Sequence, residues 1–232
     1  MNQLRRNIPN LVTCVNLTAG CVAIILASRA SELIDGLQAW RWACIAIGVA
    51  AVADFLDGFM ARLLHAYSPV GKELDSLSDL VSFGVAPAML IFHLLHTSDA
   101  SWTAWTALLI PVLGAIRLAR FNVDTRQTSS FIGLPIPANA IFWIGYVAMA
   151  SAGYPAMLTP AVAIPAIVLE SLLMVLPINL FSLKFKNYRI RGNEPRWLLI
   201  FGSAALVCFL GVPGLVWVIV LYLLLSACFH KA

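Results

Sequence analysis

Asp54-Phe-Leu-Asp57-Gly58-Phe-Met-Ala61-Arg62, then eight residues, then Gly71-Lys-Glu-Leu-Asp75-Ser-Leu-Ser-Asp79: the reading of the whole chain turns on this stretch. Asp54 and Asp57 are three apart and share one face of a helix, as do Asp75 and Asp79, four apart, on the next. Ser68-Pro69 between them is a helix start, serine as N-cap and proline at the first helical position. The spacing therefore predicts two antiparallel helices that carry four carboxylates to one place. Uncompensated, such a cluster repels itself and is costly beside lipid, and divalent cations relieve it. Oxygen ligands suit Mg²⁺, Mn²⁺ or Ca²⁺. Small residues accompany the acids: Gly58 lies four after Asp54, Ala61 four after Asp57, and Gly71 four before Asp75. They leave room for a bulky ligand or a neighbouring backbone. Arg62 adds a donor shaped for phosphate. Metals and an arginine together suggest a phosphate-bearing ligand, a lipid or nucleotide diphosphate. The alternative of caps and solvated ion pairs does not account for helical spacing on two consecutive helices.

The surroundings are apolar. Of 232 residues 61% are hydrophobic and 11% charged, a composition that excludes a soluble domain and reads as an all-α polytopic membrane helix bundle forming a single domain over 1–232. Nothing in it suggests nucleic-acid binding. The five cysteines, Cys14, Cys21, Cys44, Cys208 and Cys228, show no metal spacing and read as buried small hydrophobes.

At roughly 20 residues per crossing, eight spans are expected. They are Leu11–Leu26 (opened by Pro9-Asn10), Trp42–Met60, Pro69–Leu95 (with Gly84 and Pro87 to bend it), Trp102–Arg120, Ala138–Ala152, Pro160–Leu176, Trp197–Leu210 and Gly214–Phe229. With both termini cytoplasmic, the inner side holds Arg5, Arg6, Arg62, Lys72, Arg117, Arg120, Arg126, Lys184, Lys186, Arg189, Arg191, Arg196 and Lys231. That is 13 of the 15 Lys and Arg, Arg29 and Arg41 being the other two, as the positive-inside rule requires. The aspartates then sit at the cytoplasmic ends of spans two and three. Glu170 in span six is an unusual intramembrane acid, expected to face the bundle and to bond Ser171 or another helix.

The pattern D-x2-D-G-x2-A-R-x8-G-x3-D-x3-D, carried by Asp54, Asp57, Gly58, Ala61, Arg62, Gly71, Asp75 and Asp79, resembles the signature of the CDP-alcohol phosphotransferase family at all eight fixed positions. The resemblance implies a membrane enzyme with a six-helix core, about 8–186 here, plus a C-terminal helix pair at 196–230. It implies an active site open to the cytoplasm of a bacterial inner membrane, and a homodimer. Two divalent cations, Mg²⁺ or Mn²⁺ with Ca²⁺ as a further candidate, would be held by Asp54, Asp57, Asp75 and Asp79 against the diphosphate of a CDP-linked donor. Asp79 would also be the base that takes the alcohol proton, Gly58 and Ala61 would line the cytidine pocket, and Arg62 would touch the diphosphate. Pro9-Asn10-Leu-Val-Thr13 resembles the family's P-N-x-x-T entry. It places Asn10 and Thr13 toward the donor, although an N-cap followed by a back-bonding threonine accounts for them equally.

Arg117-Leu-Ala-Arg120-Phe-Asn122, followed by Gly133-Leu-Pro135-Ile-Pro137-Ala138 and by Phe181-Ser182-Leu-Lys184-Phe-Lys186, is similar to segments of the family's bacterial phosphatidylserine-forming branch. CDP-diacylglycerol and L-serine are then the expected substrates. Arg117 or Arg120 would bind the serine carboxylate, with Asn122, Ser182 and Lys184 as further polar contacts. Read from the residues alone, the arginines also suit snorkelling or a phosphate-bearing acceptor, and the lysines suit lipid headgroups. Glycerol 3-phosphate, inositol phosphate and choline remain alternative acceptors. A divalent-cation transporter is the rival from another class, but it would place its acids near the midplane.

Overall fold

A computed structural model describes residues 3–97, 101–123, 131–181 and 192–229. The chain divides into two compact units, Met1–Ala115 and Ile116–Ala232.

The first unit opens with α1 (Gln3–Ala27), which runs straight through Pro9. Asn10 is therefore inside the helix and is not its cap, a correction to the expected opening at Pro9-Asn10. Buried positions on α1 fall at Pro9, Thr13, Asn16, Gly20, Ala23 and Ala27, a single stripe at three- and four-residue spacing. α2 (Ala39–Leu64) answers with Ala39, Ala43, Ile47, Ala50, Ala53 and Asp57. Stripes of small side chains let two helices approach closely where lipid supplies no hydrophobic drive. The opposite face of α2 exposes Ile45, Val49, Val52, Phe55 and Phe59, as a lipid-facing surface should. A two-residue ladder, β1 (Leu33–Ile34) with β2 (Leu37–Gln38), tightens the α1–α2 connection.

Between α2 and α3 (Pro69–Asp79) the chain turns through His65 in the left-handed region, at φ 50°. Ser68 then caps α3 by accepting from the Gly71 N–H at 2.9 Å. The rod continues as a π-helical turn, Leu80–Val85, and as α4 (Ala86–His96). The anticipated bend at Gly84 and Pro87 takes this form. Pro87 offers no N–H to the carbonyl one turn back, and widening the helix by one residue absorbs the missing bond. A 3₁₀ stretch, Ser101–Leu108, leads into α5 (Leu109–Val123).

The second unit holds α6 (Ile136–Ser151), α7 (Pro160–Val175), α8 (Glu194–Leu210) and α9 (Gly214–Cys228), the last two joined by a tight turn at 211–213. A ladder that the sequence did not announce pairs β3 (Phe131–Ile132) with β4 (Asn179–Leu180). Gly133, at φ 77°, follows it so closely that a Cβ there would collide with the Met174 carbonyl. Its N–H donates to the Ile178 carbonyl at 2.9 Å, and the Leu134 N–H donates to that of Leu173 at 2.8 Å. The Gly-Leu-Pro segment is thus pinned to the end of α7.

Ile8–Ala27, Ala39–Leu64, Pro69–His96 and Ser101–Val123 are long and apolar enough to cross a membrane, and α6, α7 and α9 are shorter apolar helices. The protein is a membrane helix bundle. Two expectations need correction. Cys14, Cys21, Cys208 and Cys228 are exposed on helix faces, not buried, and all five cysteines are free thiols. Glu170 is buried, but the Ser171 hydroxyl makes no hydrogen bond among the described residues, so the two do not bond each other.

Candidate active site

The acidic site is assembled from α1, α2 and α3 within the first unit. Asp57 belongs to the stripe by which α2 packs, so burial positions it; Asp54 and Asp75 are half-buried beside it. One carboxylate oxygen from each of Asp54, Asp57 and Asp75 lies within 4.8 Å of the others. Asp79, one turn past Asp75 on the same helix, stands beside Asp54 and outside that group of three. At such separations each pair of unit charges repels by about 3 kcal/mol, taking an effective dielectric of about 20. A cluster like this needs positive charge among its oxygens. The donor set is all oxygen, and the three carboxylates close around one point, so the residues present fit a hard divalent cation.

Asp57 is held from α1. The Thr13 hydroxyl lies 2.6 Å from Asp57 Oδ2 and 3.1 Å from the Pro9 carbonyl. Its one proton goes to the nearer, charged acceptor. Asn16, fully buried one turn further on, directs its Nδ2 to Asp79 Oδ1 at 3.5 Å. The Asn16 carbonyl accepts from the Ser82 hydroxyl at 3.0 Å, and Ser78 donates to the Leu74 carbonyl at 2.8 Å. Ser82 thereby ties the turn after Asp79 to α1, and the Ser78 hydroxyl, bonded within its own helix, also stands 3.4 Å from the Thr13 carbonyl of α1.

A cavity of about 240 Å³ opens on this cluster, lined in part by Asn10, Thr13, Asp57, Gly58, Ala61, Arg62, Gly71 and Asp75. A Cβ added at Gly58 would find only Arg62 Nη1, at 3.7 Å, so Gly58 leaves open space. Gly71 differs, because a Cβ there would lie 2.8 Å from Asn10 Oδ1 and 2.9 Å from Ser68 Oγ. Gly71 makes room for α1 itself. Lys72, Tyr67 and Ser68 also line the cavity and were not singled out as site residues. Nor was Asn16. The signal that would have found it is the polar series Asn10, Thr13, Asn16, each three apart on one helix face.

Arg117, Arg120 and Asn122 belong to the second unit, and Ser182 and Lys184 lie outside the described residues. The two arginines do not share an environment. Arg117 is buried, its guanidinium 5.8 Å from the Phe121 ring centre. Arg120 is exposed and donates to the Val175 carbonyl at 3.1 Å, capping the last turn of α7.

The family model described as CDP-alcohol phosphatidyltransferase matches residues 6–180. A CDP-diacylglycerol–serine O-phosphatidyltransferase of Mycobacterium leprae is 40% identical over 151 residues, covering 61% of this chain and 47% of that protein. The protein of the same name from Bacillus subtilis is 37% identical over 130 residues, 56% of this chain and 69% of its own length. An archaetidylserine synthase of Methanothermobacter thermautotrophicus is 39% identical over 140 residues, 58% and 54% of the two chains. The chain thus spans about half the length of the mycobacterial and archaeal relatives.

Proposed function

The chain belongs to the CDP-alcohol phosphatidyltransferase family, and from that premise we propose that it transfers phosphatidyl from CDP-diacylglycerol to the hydroxyl of L-serine, releasing CMP. The observation that carries the chemistry is the convergence of the Asp54, Asp57 and Asp75 oxygens on one point at the wall of a cavity that Arg62 also lines. Serine as acceptor is supported by the names of the matched relatives, each of which carries it.

Asp54, Asp57, Asp75 and Asp79 would hold two divalent cations, Mg²⁺ or Mn²⁺, with Ca²⁺ a further candidate. When bound, these neutralise charge on the diphosphate bridging and leaving oxygens. Asn10, Thr13, Gly58, Ala61 and Arg62 receive the CDP moiety, with Arg62 on the phosphates, and Gly71 lets α1 bring Asn10 to that pocket. The serine oxygen attacks the lipid-bearing phosphorus; its bond to phosphorus forms as the bond to the CMP oxygen breaks. Asp79 takes the hydroxyl proton. Asn16 holds the Asp79 carboxylate, and Thr13 that of Asp57. Arg117 meets the serine carboxylate, with Arg120, Asn122, Ser182 and Lys184 as further contacts.

The reading includes a single membrane domain with a core at 8–186 and a C-terminal pair at 196–230. Eight crossings place both termini and the aspartates on the cytoplasmic side of the inner membrane. A 16-residue helix spans about 24 Å, so α6 and α7 cross with help from their flanks. The chain works as a homodimer, as the resemblance implies.

CMP release from CDP-diacylglycerol in detergent micelles, with L-serine, glycerol 3-phosphate, inositol phosphate or choline as acceptor, tests the reading. Release that depends on serine and a divalent cation is expected. Release with another acceptor alone would reassign the substrate, and cation flux without CMP release would overturn the enzyme.

A further inference from the structure

The loop between α2 and α3 carries a side chain that the proposed reaction does not use. Its backbone is fixed on both sides. The His65 N–H donates to the Arg62 carbonyl at 3.3 Å and the Ala66 N–H to that of Ala61 at 3.0 Å. Ser68 caps α3 through the Gly71 N–H, and Ala66 is buried. Tyr67, held between these anchors, is 68% exposed, yet it lines the cavity that opens on the aspartates. Among the described residues it makes no hydrogen bond, ion pair or ring contact. It is also the only aromatic residue in that lining, which is otherwise small, as at Gly58 and Ala61, or polar, as at Asn10, Arg62 and Lys72. A CDP-linked lipid asks for three environments. Its diacylglycerol stays in the bilayer, and its diphosphate goes to cations and an arginine. Its base lies at the far end of the diphosphate and ribose, toward water, and presents a flat π-face that an aromatic side chain can cover. Tyr67 comes five residues after Arg62, past the last turn of α2, on the exposed side of the same cavity. A tyrosine at a membrane surface can also be an interfacial anchor, but an anchor gains nothing from lining a cavity of acids and an arginine.

We propose that Tyr67 is a nucleotide-binding residue: its ring stacks on the pyrimidine of the CDP-linked donor and covers the base on the water side of the cavity. The proposal rests on the donor reading given above and is independent of the acceptor. Stacking reads the face of a base and not its edge, so what Tyr67 contributes is affinity for the nucleotide.

The test is equilibrium binding of CDP and of inorganic pyrophosphate to the full chain in detergent with Mg²⁺, for wild type, Tyr67→Leu and Tyr67→Phe. Neither probe needs an acceptor or turnover. The side chain is exposed, and an unchanged melting temperature verifies the fold of each variant. Tyr67→Leu should weaken CDP binding about tenfold, the effect of losing one base–aromatic stack. Tyr67→Phe keeps the ring and should stay within about twofold of wild type. Pyrophosphate has no base to stack and should bind all three proteins within about twofold of one another. Unchanged CDP affinity in Tyr67→Leu would overturn the proposal and leave Tyr67 an interfacial anchor. An equal loss in Tyr67→Phe would overturn it by assigning the effect to the hydroxyl. A matching loss of pyrophosphate affinity would overturn it by showing that the loop supports the diphosphate and not the base. A wild type that binds pyrophosphate but gains nothing from the nucleoside of CDP would bring down the donor reading, and the role of Tyr67 with it; a wild type that binds CDP without using serine would leave the role of Tyr67 to be decided by the same comparison.

Discussion

Gly58 and Gly71 lie in the same cavity wall and do opposite things. At Gly58 a Cβ would meet nothing nearer than Arg62 Nη1 at 3.7 Å, so the helix leaves open space there. Gly58→Ala should leave the melting temperature unchanged or slightly higher, since alanine favours a helix interior, while the KM for the CDP-linked donor rises. Gly71→Ala should lower melting temperature and activity together, because it displaces Asn10 or the Ser68 cap. Thr13→Val removes a charged 2.6 Å hydrogen bond from Asp57 without changing side-chain volume. Such bonds are worth about 1.5–3 kcal/mol, so equilibrium Mn²⁺ binding should weaken by about tenfold to a hundredfold. Asn16→Leu should lower kcat about fivefold, the worth of a single hydrogen bond to the proposed base. An unchanged kcat would show that Asn16 does not hold Asp79.

Among the elements, α1 does most to position the site, although it carries none of the aspartates. Its stripe of Thr13, Asn16, Gly20, Ala23 and Ala27 packs against α2 and reaches the residues flanking Asp79. At Gly20 a Cβ would collide with the Ser82 hydroxyl and come within 2.9 Å of the Ser82 Cα, a backbone atom that cannot yield cheaply. Gly20→Leu should push α1 off the π-helical turn and lower the melting temperature in detergent by several degrees. It should also cost activity, since Asn16 loses its grip on Asp79. An unchanged melting temperature would show that this contact does not hold the helices together. The aspartate pairs were legible because three- and four-residue spacing fixes a helix face whatever the tertiary setting. So was Ser68 as a cap, from Pro69 beside it. The π-helical turn was not, because it comes from Pro87 disturbing a helix whose course depends on packing against α1. The β3–β4 ladder was not, because two-residue strands have no period to detect. Asn16 was passed over as one amide in an apolar run, and its partner lies 63 positions away.

At the level of the molecule, helix order and approximate helix positions followed from hydropathy, and the eight-residue gap between Arg62 and Gly71 marked the family. The exposed cysteines show where that reasoning fails. In water a small apolar residue belongs inside, but in lipid the outside of a helix is equally apolar, and hydropathy does not distinguish the two. Tyr222 illustrates the same blindness. In sequence it is one aromatic in α9, and its bond to Phe181 appears only in the folded second unit.

Mn²⁺ binding to the full chain in detergent, followed by electron paramagnetic resonance in the presence of CDP, bears most directly on the idea that the aspartates of α2 and α3 grip cations. The wild type should bind Mn²⁺ in a CDP-strengthened manner, and Asp57→Asn should lose that binding while keeping its helical content. Equal Mn²⁺ binding by the two proteins would contradict the account.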